Sequence, residues 1–486
     1  MVAICAAAVA SCSTVPSGRA PSPVVSWPAE PASSAAISWP TEGGDAAVEL
    51  VAPDGRSRTV AAVVDRGFAT ATLTDLRPAS RYRYRVENGP WHEFSTPAVA
   101  SDSFAFAVLG DLQPFNAETD RTTTMVMRKV AELDPLFALQ IGDVTEVGIS
   151  ARSWRRALSI VSLLGARTPM VMTAGNHDYY YGVPSARYFK SVFPAPYEDR
   201  SPRRNTWYSV TIGNAHIAVL DTETDGDAFD RQLAWLEEDL AAARAGGAEW
   251  LFIAMHRPLL ATATGSEDER WSRSLFPLVA DHGVTAVFWG HDHLFEHYEY
   301  TYGANGFVLN EGDRPALRPA HLFVTGTAGA RVDSLYAGFF THRPFVERRA
   351  LYPVDGGEPV TREFLQYPWR EERVRTEGEG VRYQDRSRYP GAASYFSHPF
   401  DSAADERAGR YSDDPAIRYS GDAEFFGYTY GETSIHYLWI RIGPDSCTIS
   451  AHYADGPPGE HGTVITSPFG TPMRWEIPAA RTSAVR

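Results

Sequence analysis

The chain has 486 residues, 44% of them hydrophobic and 22% charged, an ordinary globular composition with room for two or three folded units. Its formal net charge of -15 excludes a general nucleic-acid binder, because no broad basic surface is available to neutralise a phosphate backbone. A small anionic ligand would need a local positive centre, and three cysteines, of which Cys5 and Cys12 lie at the start, build no disulfide framework.

Val2 to Ala10 form a short apolar, Ala-rich run that ends in Val9-Ala10-Ser11-Cys12 and passes into a Ser/Pro/Gly linker. This resembles the tail of a bacterial lipoprotein signal, in which small residues precede a lipid-modified cysteine. Residues 1–12 would be the signal and 13–23 the linker, giving an exported cell-envelope or secreted protein whose membrane association runs through Cys12. Met1 to Ser11 holds no Lys or Arg, whereas a secretory signal opens on a basic stretch. No later apolar run reaches the length of a membrane-spanning helix.

Residues 24–98 show period-two alternation over 36–39, 47–51, 69–73 and 82–86, with turns at Gly43-Gly44, Pro53-Asp54-Gly55 and Asn88-Gly89. They predict a small antiparallel sandwich, and the stretch from Leu73 to Val86 resembles the Leu-Pro-Tyr core of fibronectin type III domains. Residues 104–332 read as α/β, with buried strands over 104–109, 136–140, 170–173, 215–220, 250–254, 284–288 and 322–325 and helices over 118–133, 229–244 and 271–282. Residues 333–422, rich in Arg, Tyr, Pro and Gly, read as an insertion or lid, where Tyr383, Arg386 and Arg388 are candidates to meet an anionic substrate. Strand-like alternation returns within 423–470, over 435–442 and 446–451, and is expected to close a second sheet of the core.

Five polar clusters follow apolar strands: Gly110-Asp111-Leu112-Gln113, Gly142-Asp143-Val144-Thr145-Glu146, Gly175-Asn176-His177-Asp178, Met255-His256-Arg257-Pro258 and Gly290-His291-Asp292-His293. Strands deliver them to one sheet edge, and Gly lets the next residue turn into the cleft. Oxygen donors from Asp and Asn combined with imidazole nitrogen suit Zn, Mn or Fe better than an all-oxygen calcium cage.

In order and spacing these clusters resemble the signature of the calcineurin-like metallophosphoesterases, which include purple acid phosphatases. The resemblance covers roughly 104–330. It implies a β-sandwich core flanked by helices, and the fibronectin-like module ahead of it agrees with the purple acid phosphatase arrangement. It also implies two divalent or trivalent ions, with Asp143 bridging both, Asp111 and His293 on the first, and Asn176, His256 and His291 on the second. His177 would contact phosphate and protonate the leaving group, Asp178 would orient His177, and Arg257 would help stabilise the phosphoryl oxygens. Two departures stand out: many members carry His where this chain has Gln113, and purple acid phosphatases carry a Tyr ligand where it has Glu146. Gln113 would ligate through its amide oxygen, and no tyrosinate colour is expected.

The implied reaction is hydrolysis of small phosphate esters, foremost monoesters, by hydroxide held between the ions. A phosphodiesterase or nucleotide hydrolase with the same centre is the nearest rival, and an envelope-anchored metal-binding adhesion module is the alternative of another class. Away from the clusters, His216 reads as structural and His297 as a neighbour of the site. The acidic run Asp221, Glu223, Asp225 and Asp227 reads as a solvated loop, and Tyr179, Tyr180 and Tyr181 line either the substrate mouth or the core.

Overall fold

The computed structural model describes residues 21–179, 185–198, 206–224, 226–259, 269–303, 314–330, 345–353, 360–366, 411–412, 428–432, 434–454 and 473–479. The lipoprotein-like start with Cys12, Tyr180, Tyr181, Asp225 and the insertion residues Tyr383, Arg386 and Arg388 lie outside the described residues.

The amino-terminal unit is a two-layer sandwich. One layer holds β1 (Val24–Ser26), β2 (Ala35–Pro40), β5 (Val63–Asp65) and β6 (Phe68–Leu73), and the other β3 (Ala47–Val51), β4 (Ser57–Ala61), β7 (Arg81–Val86) and β8 (His92–Ser95). Alternation sets the faces: in β7, Arg81 and Arg83 are exposed while Tyr82, Tyr84 and Val86 are buried against Trp39, Val48 and Leu50. The Tyr82 hydroxyl accepts the Arg77 N–H at 2.6 Å, a tie of the kind that fixes corners in immunoglobulin-like sandwiches.

The core pairs two sheets. In the first, β9 (Phe104–Leu109), β10 (Phe137–Ile141) and β11 (Met170–Thr173) run parallel. In the second, β12 (Tyr208–Ile212) lies antiparallel to β13 (Ala215–Val219), which runs parallel to β14 (Trp250–Ala254), β15 (Ala286–Trp289) and β17 (Arg314–Thr325); β16 (Phe295–Gly303) returns antiparallel to β17, and β21 (Tyr428–Glu432) to β16. Both faces of the parallel strands are covered, so they read as continuous apolar runs. Phe106, Val108 and Leu139 point between the sheets toward Phe252 and Phe288, and the Phe106 and Phe252 rings meet at 5.6 Å. Their neighbours Ala107, Leu109 and Ala138 face the helix layer.

That layer holds α1 (Ala117–Glu132) and α2 (Ala151–Gly165). Asn116 starts α1 by accepting the Glu118 and Thr119 N–H groups at 2.8 and 3.0 Å, while Thr119 Oγ1 accepts the Asn116 N–H at 3.1 Å, a reciprocal cap. The short α3 (Asn176–Tyr179) and α4 (Arg187–Val192) follow β11, and α5 (Gly226–Ala245) and α6 (Glu269–Asp281) cover the second sheet.

The carboxy-terminal strands β22 (His436–Ile442), β23 (Ser446–Tyr453) and β24 (Arg474–Pro478) extend the first sheet, because β22 pairs antiparallel with β9. The amino-terminal unit is also not free-standing: β1 pairs parallel with β11, Ser26 opposite Met170, giving a ten-stranded sheet ordered β24-β23-β22-β9-β10-β11-β1-β2-β6-β5. The Tyr84 hydroxyl donates to the Ala166 carbonyl at 2.8 Å, and Thr70 Oγ1 donates to the Ser191 carbonyl at 3.0 Å. Inside 333–422, where little periodicity was expected, β18 (Phe345–Pro353) pairs antiparallel with β19 (Val360–Gln366) and β20 (Tyr411–Ser412).

Candidate metal centre

β9, β10, β11, β14 and β15 all end at one edge of the sheet pair, and each passes directly into one of the five polar clusters. The left-handed backbone falls on chemistry-bearing residues themselves: φ is 49° at Asp111, 34° at Gln113, 55° at Asp143 and 70° at His291. Among the glycines that open the clusters Gly142 shares this region at φ 104°, and they also answer a second need. A Cβ on Gly175 would lie 2.2 Å from Asp143 Oδ1, and one on Gly290 2.1 Å from Asp111 Oδ2. These positions are glycine chiefly because side chains from other strands pass where a methyl would be, a close-approach role beyond the turning one expected.

The side chains meet. Asn176 Oδ1 lies 3.0 Å from His256 Nε2 and 2.8 Å from His291 Nδ1, and His256 Nε2 is 3.4 Å from Asp143 Oδ2. Donor atoms of Asp143, His256 and His291 all fall within 4.8 Å of one another. Asp111 joins from β9, its oxygens each accepting the His291 N–H at 3.1 Å, with His293 Nε2 3.5 Å from Oδ1. Gln113 turns its amide nitrogen to Asp143 Oδ2 at 3.2 Å, where the sequence reading had its oxygen ligating. A carboxylate calls for a donor; a half-turn of the amide presents the oxygen instead.

Charge and tautomer test whether cations fit. His256 Nδ1–H donates to the Ile141 carbonyl at 3.1 Å, so the Nε2 lone pair of the neutral ring faces the oxygens of Asn176 and Asp143. Three acceptors then converge, which only a proton or a cation reconciles. Burial opposes charge on His256, yet Asp143 and Asp111 more than offset it and raise the group to about 10. Asp143 shows the counterpart: burial works against its charge, but His256 and His177 hold it well below the usual carboxylate range. A buried set of two carboxylates, an amide oxygen and imidazoles that favours added positive charge fits borderline metal ions.

His177 sits beside this set, its backbone N–H donating to Asp143 Oδ1 at 2.8 Å and its Nδ1–H to the Glu146 carbonyl at 2.9 Å. Nε2 is 4.0 Å from Asp143 Oδ2. The expected orienting role of Asp178 is corrected. Its buried carboxylate accepts the N–H groups of Gly175, Val144 and Thr145 at 2.9, 3.3 and 3.2 Å, bracing two turns against each other, while the Glu146 carbonyl fixes the His177 ring. Burial and the charge of Asp143 push Asp178 up to about 7, against the Gly175 and Val144 donors and His256.

Arg257 is set back from the cluster by a bidentate pair with Glu223, Nε to Oε1 at 2.7 Å and Nη2 to Oε2 at 3.1 Å. Its charge still bears on His291, which burial first, then His256 and Arg257, hold well below the usual histidine range. Half of the acidic run departs from the solvated loop expected, since Glu223 is held by Arg257 and Asp221 is fully buried, accepts the Tyr179 hydroxyl and takes the Thr206 N–H at 2.8 Å, whereas Asp227 is exposed in the first turn of α5. Tyr179 thus packs inward. The available signal for Glu223 was its place just past β13, on the same edge as the clusters. His297 belongs to the core between the sheets, where it bonds His321 at 3.0 Å and its ring lies tilted against Trp475 at 4.2 Å. His216 is structural, held by Thr211 and Asp239 at 2.9 and 2.7 Å.

Residues 104–295 match the family model of the calcineurin-like phosphoesterases. Purple acid phosphatase 22 of Arabidopsis thaliana is 27% identical over 234 residues, 47% of this chain and 52% of its own length. Human tartrate-resistant acid phosphatase type 5 is 30% identical over 163 residues, covering 30% of this chain and 49% of its own. Purple acid phosphatase PPD1 from yellow lupin (Lupinus luteus) seeds shares the fold, with a TM-score of 0.61 and 13% identity over 94% of this chain and 74% of that one. The chain spans about half the length of the curated relatives it matches first. With that signature on converging strand ends, the chain carries a calcineurin-like phosphoesterase domain and has purple acid phosphatases as its homologues.

Proposed function

We propose that the protein is a dinuclear-metal phosphoric ester hydrolase acting on small phosphorylated substrates, foremost phosphomonoesters. The observation that carries this reading is the approach of Asn176 Oδ1 to two imidazole nitrogens at 3.0 and 2.8 Å, with Asp143 joining the same set. Asp111 and His293 would hold the first ion, Asn176, His256 and His291 the second, and Asp143 both; Mn, Zn and Fe suit these donors. Such ions, when bound, acidify water and neutralise phosphoryl charge. The chain's own part is to fix the donors, to bury them, and to place His177. Because the Glu146 carbonyl occupies Nδ1–H, the proton that reaches a leaving oxygen is the one on Nε2, the nitrogen turned toward Asp143. Arg257, clamped by Glu223, contributes charge at a distance rather than a direct contact.

The test compares wild type with Asp143→Ala for metal content and for release from p-nitrophenyl phosphate and its bis-ester. Asp143 touches both proposed positions, so the variant should lose both ions and at least about 100-fold in turnover; retention of wild-type metal and rate in the folded variant refutes the reading. Cleavage of the diester alone reassigns the enzyme as a phosphodiesterase. Export with lipid attachment at Cys12 is part of the same proposal, supported by the Val9-Ala10-Ser11-Cys12 pattern. No described helix is long and apolar enough to cross a membrane. Mass spectrometry of the native amino terminus, with Cys12→Ser as control, checks that attachment.

A further inference from the structure

We infer that the buried Asp221 carboxylate is a positioning residue for the second metal position, setting where the turn of Asn176 stands relative to His256. This rests on the dinuclear reading above. That ion would be held by side chains from both sheets: Asn176 follows β11 of the first, and His256 and His291 follow β14 and β15 of the second. Within the second sheet the backbone sets the spacing, since β14 pairs with β15 and the Gly290 N–H donates to the His256 carbonyl at 3.0 Å. Among the described residues the two sheets share no strand pairing, so side chains must hold the gap.

Asp221 lies just past β13 and is fully buried. Its Oδ2 accepts the Tyr179 hydroxyl and, at 2.8 Å, the Thr206 N–H, while Oδ1 accepts the Glu223 N–H at 3.0 Å. Tyr179 belongs to the same short α3 as Asn176. On the other side, Thr222 Oγ1 accepts the Arg257 N–H at 3.2 Å and Glu223 clamps the Arg257 guanidinium at 2.7 and 3.1 Å, directly after His256. Gln232 of α5 backs the turn, accepting the Asp221 N–H at 2.7 Å and donating to the Asp221 carbonyl and to Thr224 Oγ1, each at 3.0 Å. One carboxylate thus joins the helical turn that carries Asn176 to the segment that grips the residue after His256. His256 has the reciprocal tie, its Nδ1–H to the Ile141 carbonyl of the first sheet at 3.1 Å. Asn176 Oδ1 and His256 Nε2 end 3.0 Å apart, and metal–donor distances tolerate only about ±0.2 Å. Burying a carboxylate on a phenol and two backbone N–H groups is destabilising; an apolar side chain would fill the space with less penalty but would hold neither turn.

Equilibrium dialysis of the full chain against Zn(II), followed by metal analysis, reads this without a turnover assay. Asp221→Asn keeps the shape but sets an amide NH2 where an acceptor stood, and Tyr179→Phe removes only the tie to α3. Each should hold one ion as wild type does and bind the other about ten-fold or more weakly, and the double variant should lose no more than Asp221→Asn alone. Circular dichroism keeps the comparison to folded protein, and the milder Tyr179→Phe carries the test if Asp221→Asn does not fold. Asp239→Asn is the structural control: Asp239 of α5 ties Ser209 of β12 and His216 of β13 at 2.8 and 2.7 Å, so its loss should lower the urea midpoint and leave both ions bound. Wild-type affinity for two ions in Asp221→Asn and Tyr179→Phe, while Asp143→Ala loses both, overturns the inference and leaves the dinuclear reading standing. An equal single-ion loss in Asp239→Asn also overturns it, because general loosening then explains the effect. Asp143→Ala retaining both ions brings down the dinuclear reading itself, and the inference with it.

Discussion

Asp111, Asp143 and His291 hold φ values of 49°, 55° and 70°, a region that costs a residue with a side chain about 1–3 kcal/mol. Surrounding structure must impose this, and it does through interlocked glycines and carboxylates. The sequence displayed which residues carry chemistry, because Asp, Asn and His recur after each apolar run. It did not display who touches whom. Asp178 and His177 are adjacent in the chain, yet neighbours in a tight turn point apart, so the brace on three N–H groups was invisible. Likewise Arg257 and Glu223 are brought together only by β13 and β14 lying side by side. Gly175→Ala tests the interlock: a methyl 2.2 Å from Asp143 Oδ1 should displace that carboxylate and weaken metal retention by about ten-fold or more while the far-ultraviolet circular dichroism stays unchanged. Wild-type metal affinity in Gly175→Ala would show the turn to be compliant.

Among the elements, those with long apolar periodicity were legible and those defined by their neighbours were not. The helices at 118–133, 229–244 and 271–282 fall within a few residues of α1, α5 and α6. Helix α2 escaped, although Trp154, Leu158 and Val161 lie on its buried face; Arg and Ser between them blur the stripe in the sequence. Strand order also depends on long-range pairing, which explains why the pairing of β22 with β9 was not legible although these strands were expected to complete the core. Trp154 is where α2 bears on the site: fully buried, it donates Nε1–H to the Gly148 carbonyl at 2.8 Å, pinning the turn that follows Glu146. Trp154→Phe should keep most of the packing and lose that tether, whereas Trp154→Ala should cost about 3–5 kcal/mol. Urea melts read the difference, and wild-type stability in Trp154→Phe would deny the tether any part.

For the molecule as a whole, acid is the relevant stress. Burial holds His321 down to about 4 and His436 likewise to about 4, the latter despite the Ser434 carbonyl. Both are neutral in the folded core, while an unfolded chain takes up protons from about pH 6.5 downward. The unfolded state therefore binds more protons between about pH 6.5 and 4. Their contribution is complete above that window and fades as pH falls through it, by about 2 kcal/mol each at pH 5. Urea unfolding of wild type at pH 7 and 5 should show this loss, and His321→Gln should remove its share; a pH-independent midpoint contradicts it.

The unbroken ten-stranded sheet also has a mechanical meaning. A module strung on a pliable connector swings and lets its neighbour breathe independently, whereas here β1 shares peptide hydrogen bonds with the strand that ends in the Asn176 turn. With the described strands joined in one sheet, a load, cross-link or deletion applied to its amino-terminal rim is expected to reach the edge that holds the candidate metal ligands.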